Sequence, residues 1–398
     1  MMPFQELIDF ERAKKIILEN TWEMDRVEEI SITEACGRVL AEDIEADFNI
    51  PGFARAAMDG YAVIASDTFG ASMRNPVKLR LIGKIFAGEI AKEEVKKGTC
   101  MQIATGAALP EGSDAVIMVE NTSAEGDEVQ IFKPVYPGAN VSSPDEDVKK
   151  GEKVLAEGMI LNPPKIGVLA ALGMEKVRVY EKPEVHIYPT GREIVSPGCE
   201  IEYGKIYDIN SYTLATLLKE EGADVHIHPI VDDDKETIER CFEGGGDYII
   251  FSGGSSVGER DMIADAIEKH GKLFFHGIAL KPGKPTIFGK VGKTLVFGMP
   301  GYPTSCLTNA YVLLLPSIKK MARLPLIIKR EEVTLAERIV STIGRYQIYP
   351  VKVKEGKAYP VFKESGAITS LSNASGYIEI PANVEYLDKG SKVLVTYF

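Results

Sequence analysis

The spacing of apolar positions changes character several times along the chain, and each change predicts a different architecture. Residues 4–19, FQELIDFERAKKIILE, set Phe4, Leu7, Ile8, Ile16 and Ile17 at near-helical intervals, which predicts a first helix. ITEACGRVLAEDI, 32–44, reads as a second helical piece. From 47 to 144, short alternating runs such as VKLRLIGKIFAG, TCMQIATG, DAVIMVE and DEVQIFKPV are cut by glycine and proline, which predicts a small all-β domain. Residues 145–182 return to mixed texture, with Pro163 and Pro164 opening KIGVLAALG as a helix N-terminus would. That piece has no partner of its own. It therefore pairs with residues 1–46 as one discontinuous linking domain, and the β region 47–144 becomes an insertion between its halves.

From 183 to 325 strands and helices alternate. EVHIYPTG, VHIHPIV, DYIIF and TLVFGMPG read as strands, and SYTLATLLKEEG, DKETIERCF, MIADAIEKHG and a run around TSCLTNAYVLLL read as helices. This alternation predicts a doubly wound, mostly parallel sheet. Over 326–398 the helical signal stops, and VTLAERIV, YQIYPVKVK, GYIEIP and SKVLVTYF predict a C-terminal β-barrel. The expected fold class is thus multidomain α/β plus β.

Composition narrows the function. A chain of 398 residues exceeds one ordinary core, and 45% hydrophobic with 26% charged residues describes a globular protein. A net charge of −12 argues against nonspecific binding of nucleic acid or anionic membrane, which needs a basic footprint. The five cysteines are dispersed and show no CxxC, which points to a reducing, cytoplasmic setting. MMPFQELIDFERAKK lacks the unbroken apolar core of a signal peptide or anchor, and no apolar run approaches membrane-spanning length.

In an open parallel sheet, ligands bind beyond the carboxyl ends of the strands. Three strand exits share one chemistry: PTGRE (189–193), SGGSSVGERD (252–261) and GMPGYPTS (298–305). Each joins glycine, which lets backbone N–H groups approach closely, to a hydroxyl or carboxylate side chain. Such loops at helix starts suit an oxyanion. Between the second and third, LKPGKP stiffens a turn carrying Lys281 and Lys284. Each loop alone reads equally as an ordinary connecting turn, but three exits with a paired-lysine turn favour a phosphate or similar oxyanion site. No Walker loop or GxGxxG follows a strand. His226 and His228 share a strand face and are expected in a surface or interface role rather than as metal ligands. His270 and Trp22 read as packing residues. The run Asp232-Asp233-Asp234 serves either as a helix cap or on the ligand edge. In the inserted β region, PGFARAAMDGYAV places Asp59 and Gly60 in a tight turn, and QIATGAALPEGSDAVIMVE places Thr105 and Gly106 at a strand exit. Neither Asp59 nor Thr105 has an evident chemical partner within that region.

With AMDGYAV, ATGAALPEGSDAVIMVE, PGANVSSPDEDVKKG, PTGREI, GKIYDINSY, FSGGSSVGERD, LKPGKPTIFG and GMPGYPTSC in that order, the chain resembles the MoeA type of molybdopterin molybdenumtransferase, the family of the catalytic region of gephyrin. The resemblance implies a homodimer with a MogA-like α/β domain. It implies insertion of molybdate, or tungstate, into adenylylated molybdopterin with release of AMP in the presence of Mg2+. A gephyrin-like scaffold and a molybdopterin adenylyltransferase are the alternatives, and an adenylyltransferase supplying the substrate is an implied partner. The implied catalytic residues are Asp59, Thr105, Asp147, Glu193, Asp232 and Asp261, with Glu193, Asp232 and Asp261 on the metal. Ser252, Gly253, Gly254, Lys281, Lys284, Pro300, Pro303 and Ser305 would bind substrate and oxyanion, and the cleft would draw on both subunits. The chain departs from the family pattern at Ser142 and Ser143, where arginines are frequent, at Gly277, and at Tyr302, where asparagine is common.

Overall fold

The structure is a computed structural model that describes residues 7–232, 234–253 and 262–398. It divides into two compact units, one of 29–36 with 40–178, the other of 1–28, 37–39 and 179–398.

The first unit is built on a six-stranded sheet in the order Ala115–Met118, Gly60–Val63, Thr99–Ile103, Val77–Ile85, Glu128–Ile131, Thr122–Glu125. Period-two alternation sorts its side chains onto two apolar faces. Tyr61, Val63, Cys100, Ile117 and Val129 pack on one; Ala62, Met101, Ile103 and Val116 pack on the other. The strands cross so closely that a Cβ on Gly60 would sit 1.8 Å from the Ile117 carbonyl oxygen. Helix Pro163–Ala171 forms as expected, with Asn162 Oδ1 accepting the Lys165 N–H at 3.2 Å. The helix expected over 32–44 does not form. Ser31 and Thr33 tie their hydroxyls together at 2.9 Å, Gly37 turns the chain at φ +82°, and Ile44–Glu45 pairs as a strand with Lys153–Leu155. Local side-chain bonding has displaced the helix.

In the second unit the first helix is Phe10–Asn20. It starts later than the periodicity suggests because Asp9 caps it, accepting from the N–H groups of Glu11 (2.9 Å) and Arg12 (3.1 Å), while Ile8 makes a parallel bridge to Ile278. The central sheet runs Asp224–Ile227, Glu184–Pro189, Tyr248–Ser252, Thr294–Met299, Ile287–Val291, Lys272–His276. The first four strands are parallel. The last two are antiparallel, and the turn between Ile287–Val291 and Thr294–Met299 is a tight hairpin. Ile249, Phe251, Ile263, Ile267 and Val296 form the core beneath the flanking helices. The last helical run is composite: α-helical over Pro303–Asn309, π-helical over Ala310–Leu314, and α-helical again over Leu315–Met321. Five strands, Tyr346–Lys354, Lys357–Pro360, Arg330–Leu335, Lys392–Tyr397 and Gly376–Ile380, close into a barrel around Val333, Val351, Ile378 and Val395. The two-residue strand Leu280–Lys281 pairs in parallel with Tyr346 and Gln347 at its edge. Among the described residues no helix is long and apolar enough to cross a membrane.

Candidate active site

The three suspected strand exits leave adjacent parallel strands in register. Pro189 is level with Ser252, and Ser252 with Met299, so the loops emerge side by side at the carboxyl edge of the sheet. A bridge between Thr190 and Val231 adds the loop of Asp232 to the row. The backbones nearly touch: Gly253, at φ +121°, leaves no room for a side chain, since a Cβ would lie 2.4 Å from the Thr190 carbonyl oxygen. Ser252 is fully buried and shares a 3.3 Å hydrogen bond with Ser211 Oγ, while the Gly253 N–H donates to the Met299 carbonyl at 3.2 Å. Asn210 Nδ2 donates to the Gly301 carbonyl at 2.9 Å and braces the third loop. The expected contributors Gly254 and Asp261 lie outside the described residues.

Beside this edge stands the lysine turn. Lys281 Nζ donates to Thr342 Oγ1 at 2.7 Å. Burial, and then the neighbouring Arg345 guanidinium, hold the Lys284 ammonium below the usual lysine range. Gly283, between the lysines, has φ +110° and lies flat against the buried Asn309 amide. Helix Pro303–Asn309 begins with Pro303 just after buried Pro300, and it carries Ser305, 3% exposed. Thr304 fixes its start through its N–H to Ser365 O (3.0 Å) and its hydroxyl to Ala367 O (2.9 Å). Among the described residues, the buried side-chain polar atoms without a partner are Thr190 Oγ1, Asn210 Oδ1, Thr308 Oγ1 and Asn309 Oδ1. All four belong to the elements that frame this edge, whereas the other buried side-chain polar atoms of the described residues have partners, the usual condition in a folded protein. Thr342, Arg345 and Asn309 were not singled out from sequence, because their relation to the lysines is set by pairing across distant segments.

Within the β unit, Asp59 and Thr105 come together. Asp59 Oδ1 accepts both the backbone N–H of Thr105 (2.7 Å) and its hydroxyl (2.8 Å). These bonds hold the exposed Asp59 carboxyl below its ordinary value, the backbone bond contributing most. The expectation that the two residues lack partners in their own region is thereby corrected: each is the other's. Asp147 lies on a neighbouring segment, its N–H bonded to the Ile50 carbonyl at 2.9 Å.

The acidic run divides. Asp234 caps helix Lys235–Cys241, accepting from the N–H (3.0 Å) and hydroxyl (2.6 Å) of Thr237, while Asp232 is exposed on the ligand edge. Glu193, on the loop adjoining that of Asp232, folds its carboxylate back to within 2.9 Å of the point a Gly191 Cβ would occupy. Among the described residues no group of three His, Cys, Asp or Glu converges as a metal-ligand set. Two carboxylates on adjoining loops still fit a magnesium ion, which characteristically takes only one or two from the protein and the rest from substrate phosphates and water. His228 accepts or donates at 2.7 Å to His186 and stacks on Tyr188, so it belongs to an aromatic row rather than to a free surface; burial, with His186 and His226 beside it, pushes its pKa down. Trp22 lies under Lys290, and His270 meets Glu239 at 3.1 Å and the edge of Phe242.

Three family models match in succession: the MoeA N-terminal region (domain I and II) over 8–173, a domain described as "Probable molybdopterin binding domain" over 186–320, and the MoeA C-terminal region (domain IV) over 332–398. A molybdopterin biosynthesis protein of Methanocaldococcus jannaschii is 37% identical across 99% of this chain and 97% of its own length. The molybdopterin molybdenumtransferase of Haemophilus influenzae is 37% identical across 79% and 78%. Among solved structures, a molybdopterin biosynthesis MoeA protein from Pyrococcus horikoshii superposes with a TM-score of 0.86 at 40% identity, covering 98% of this chain and 99% of that one.

Proposed function

The chain belongs to the MoeA family, and from that premise we propose that it is a molybdopterin molybdenumtransferase of molybdenum cofactor biosynthesis, inserting molybdate into adenylylated molybdopterin with release of AMP. The observation that carries this reading to the site is the row of three strand exits in register, flanked by the Lys281–Lys284 turn. A row of glycine-lined loops suits a pyrophosphate, and two ammonium groups with the Ser305 hydroxyl suit a tetrahedral dianion. Lys281 and Lys284 would hold molybdate near the dithiolene sulfurs, while the loops of Gly253, Gly254, Pro300 and Pro303 orient the nucleotide. The chemistry asked of the protein is therefore chiefly positioning and charge stabilisation.

The finer assignments belong to the same proposal. Glu193 and Asp232, with Asp261, would hold a magnesium ion; when bound, such an ion neutralises the pyrophosphate and helps adenylate leave. The protein acts as a homodimer, with Asp59, Thr105 and Asp147 of one copy serving the α/β domain of the other. It works in the cytoplasm, which suits five dispersed cysteines, and takes its substrate from a molybdopterin adenylyltransferase. Tungstate, nearly isosteric with molybdate, would compete for the same lysines. The scaffold and adenylyltransferase alternatives are not favoured, since the relatives matched across most of this chain carry the transferase name.

The test is AMP release from adenylylated molybdopterin with and without molybdate. Release that needs molybdate supports the assignment; release indifferent to it refutes it. Mixing inactive Asp59→Ala with inactive Lys281→Ala tests the shared cleft. With free subunit exchange roughly half the dimers are mixed, each with one intact cleft, giving about a quarter of wild-type activity. No recovery despite demonstrated exchange would place both residues in one chain's cleft.

A further inference from the structure

We propose that Asn309 is a positioning residue for the oxyanion: its buried amide locks the lysine turn against the helix that carries Ser305, so both halves of the pocket are set before substrate arrives. The proposal rests on the assignment of Lys281, Lys284 and Ser305 to the oxyanion.

Asn309 is 0% exposed, and its Nδ2 donates to the Gly283 carbonyl at 3.1 Å and to Thr286 Oγ1 at 2.6 Å. Thr286 Oγ1 in turn donates to the same Gly283 carbonyl at 2.8 Å, which closes a three-membered network. Chemistry fixes the amide's orientation. The Gly283 oxygen can only accept, so a flipped amide would set oxygen against oxygen. The contact is also steric: a Cβ on Gly283 would lie 2.3 Å from both Nδ2 and Oδ1, so the amide lies flush on the turn. Lys281 and Lys284 flank Gly283 at two residues before and one after. A displaced Gly283 would carry both ammonium groups with it.

The other side of the lock is the helix. Ser305 and Asn309 stand four residues apart on Pro303–Asn309 and so share one face. Immediately after Asn309 the helix widens into the π segment Ala310–Leu314, a departure often found at functional sites because it sets which residues face inward. Asn309 Oδ1 has no partner although it is fully buried. A residue required only for packing would be served by leucine, which has the same number of heavy atoms branched at the same carbon and leaves no unpaired oxygen. The retained amide is explained by the turn it holds.

The experiment follows AMP release by the full-length protein with magnesium while molybdate and adenylylated molybdopterin are varied separately. In Asn309→Leu the half-saturating molybdate concentration should rise about tenfold, that for adenylylated molybdopterin should stay within about twofold, and the rate at saturating molybdate should be retained. Thr286→Val, which removes the turn-side partner, should move molybdate alone by about threefold. If Asn309→Leu fails to fold, Thr286→Val decides alone. Equal losses for both substrates would mean a merely structural role and overturn the proposal, as would unchanged molybdate dependence. Lys281→Ala separates the two levels of inference. If it loses molybdate use while Asn309→Leu does not, only the positioning role fails; if Lys281→Ala behaves as wild type, the oxyanion assignment fails and the proposal with it.

Discussion

The lysine turn and the Asp59 turn are both polar and both candidates for the same reaction, yet they are held in opposite ways. Lys281 is half-buried, paired through its backbone to the barrel edge, and bonded at its tip to Thr342. Lys284 is desolvated enough to lower its pKa, and the glycine between them is pinned by Asn309. Asp59 is exposed and relies on one residue, Thr105, for both its hydrogen bonds. A cation that must strip water from a dianion gains from a rigid, poorly hydrated setting, where its attraction is stronger. A carboxylate at a surface stays ionised unaided and needs only to be aimed, which two bonds from one threonine accomplish.

The sharpest way to break this comparison is Lys281→Ala. Loss of charge-assisted bonds worth about 1.5–3 kcal/mol should cut molybdate-dependent AMP release about 10- to 150-fold, with the unfolding midpoint unchanged. A variant that instead unfolds would make Lys281 a structural residue. Next in size is Gly60→Ala beside Asp59. Its methyl would meet the Ile117 carbonyl, so the variant should lose about 1–3 kcal/mol in denaturant unfolding. An unchanged midpoint would mean the sheet relaxes there, and that the Asp59 turn is softer than its register suggests.

Smaller effects come from titration. Because burial and then Arg345 depress the Lys284 pKa, its charge is lost as pH rises through that lowered value. Molybdate use in the wild type should therefore weaken at alkaline pH earlier than an ordinary lysine would dictate, and Lys284→Arg should flatten the pH profile. The smallest expected change is in Thr105→Val. The Asp59 carboxyl is depressed, so the bonds it makes are present above its unfolded pKa and lost as pH falls through the folded one. The variant keeps the backbone bond, so the Asp59 midpoint followed by NMR should move only part of the way back up. Full recovery would show that the hydroxyl alone sets it.

What could be read from the sequence follows the range of the forces involved. The parallel strands announced themselves through runs such as DYIIF and TLVFGM, where burial on both faces leaves little alternation. The site loops followed from them, because strand exits in one sheet face one edge. KLFFH and IFGKV give no comparable signal, as their antiparallel pairing depends on partners rather than on local pattern. The false helix over 32–44 had the right apolar spacing, but Ser31, Thr33 and Gly37 redirected the backbone. Asp59 and Thr105 were each visible, yet their bond spans 46 residues and no local signal joins them. Asn309 looked like one polar residue in a core helix, and only the folded turn gives it a partner.

The pairing of Leu280 and Lys281 with Tyr346 and Gln347 has a consequence for dissecting the molecule. The family models split these residues between two regions, 186–320 and 332–398. A fragment ending near residue 325 would keep every glycine loop but leave Lys281 on an unpaired edge, without Thr342. Gene duplication or shuffling could move the α/β domain as a unit and carry its glycine loops intact. It could not carry the lysine turn in working form unless the barrel travelled with it.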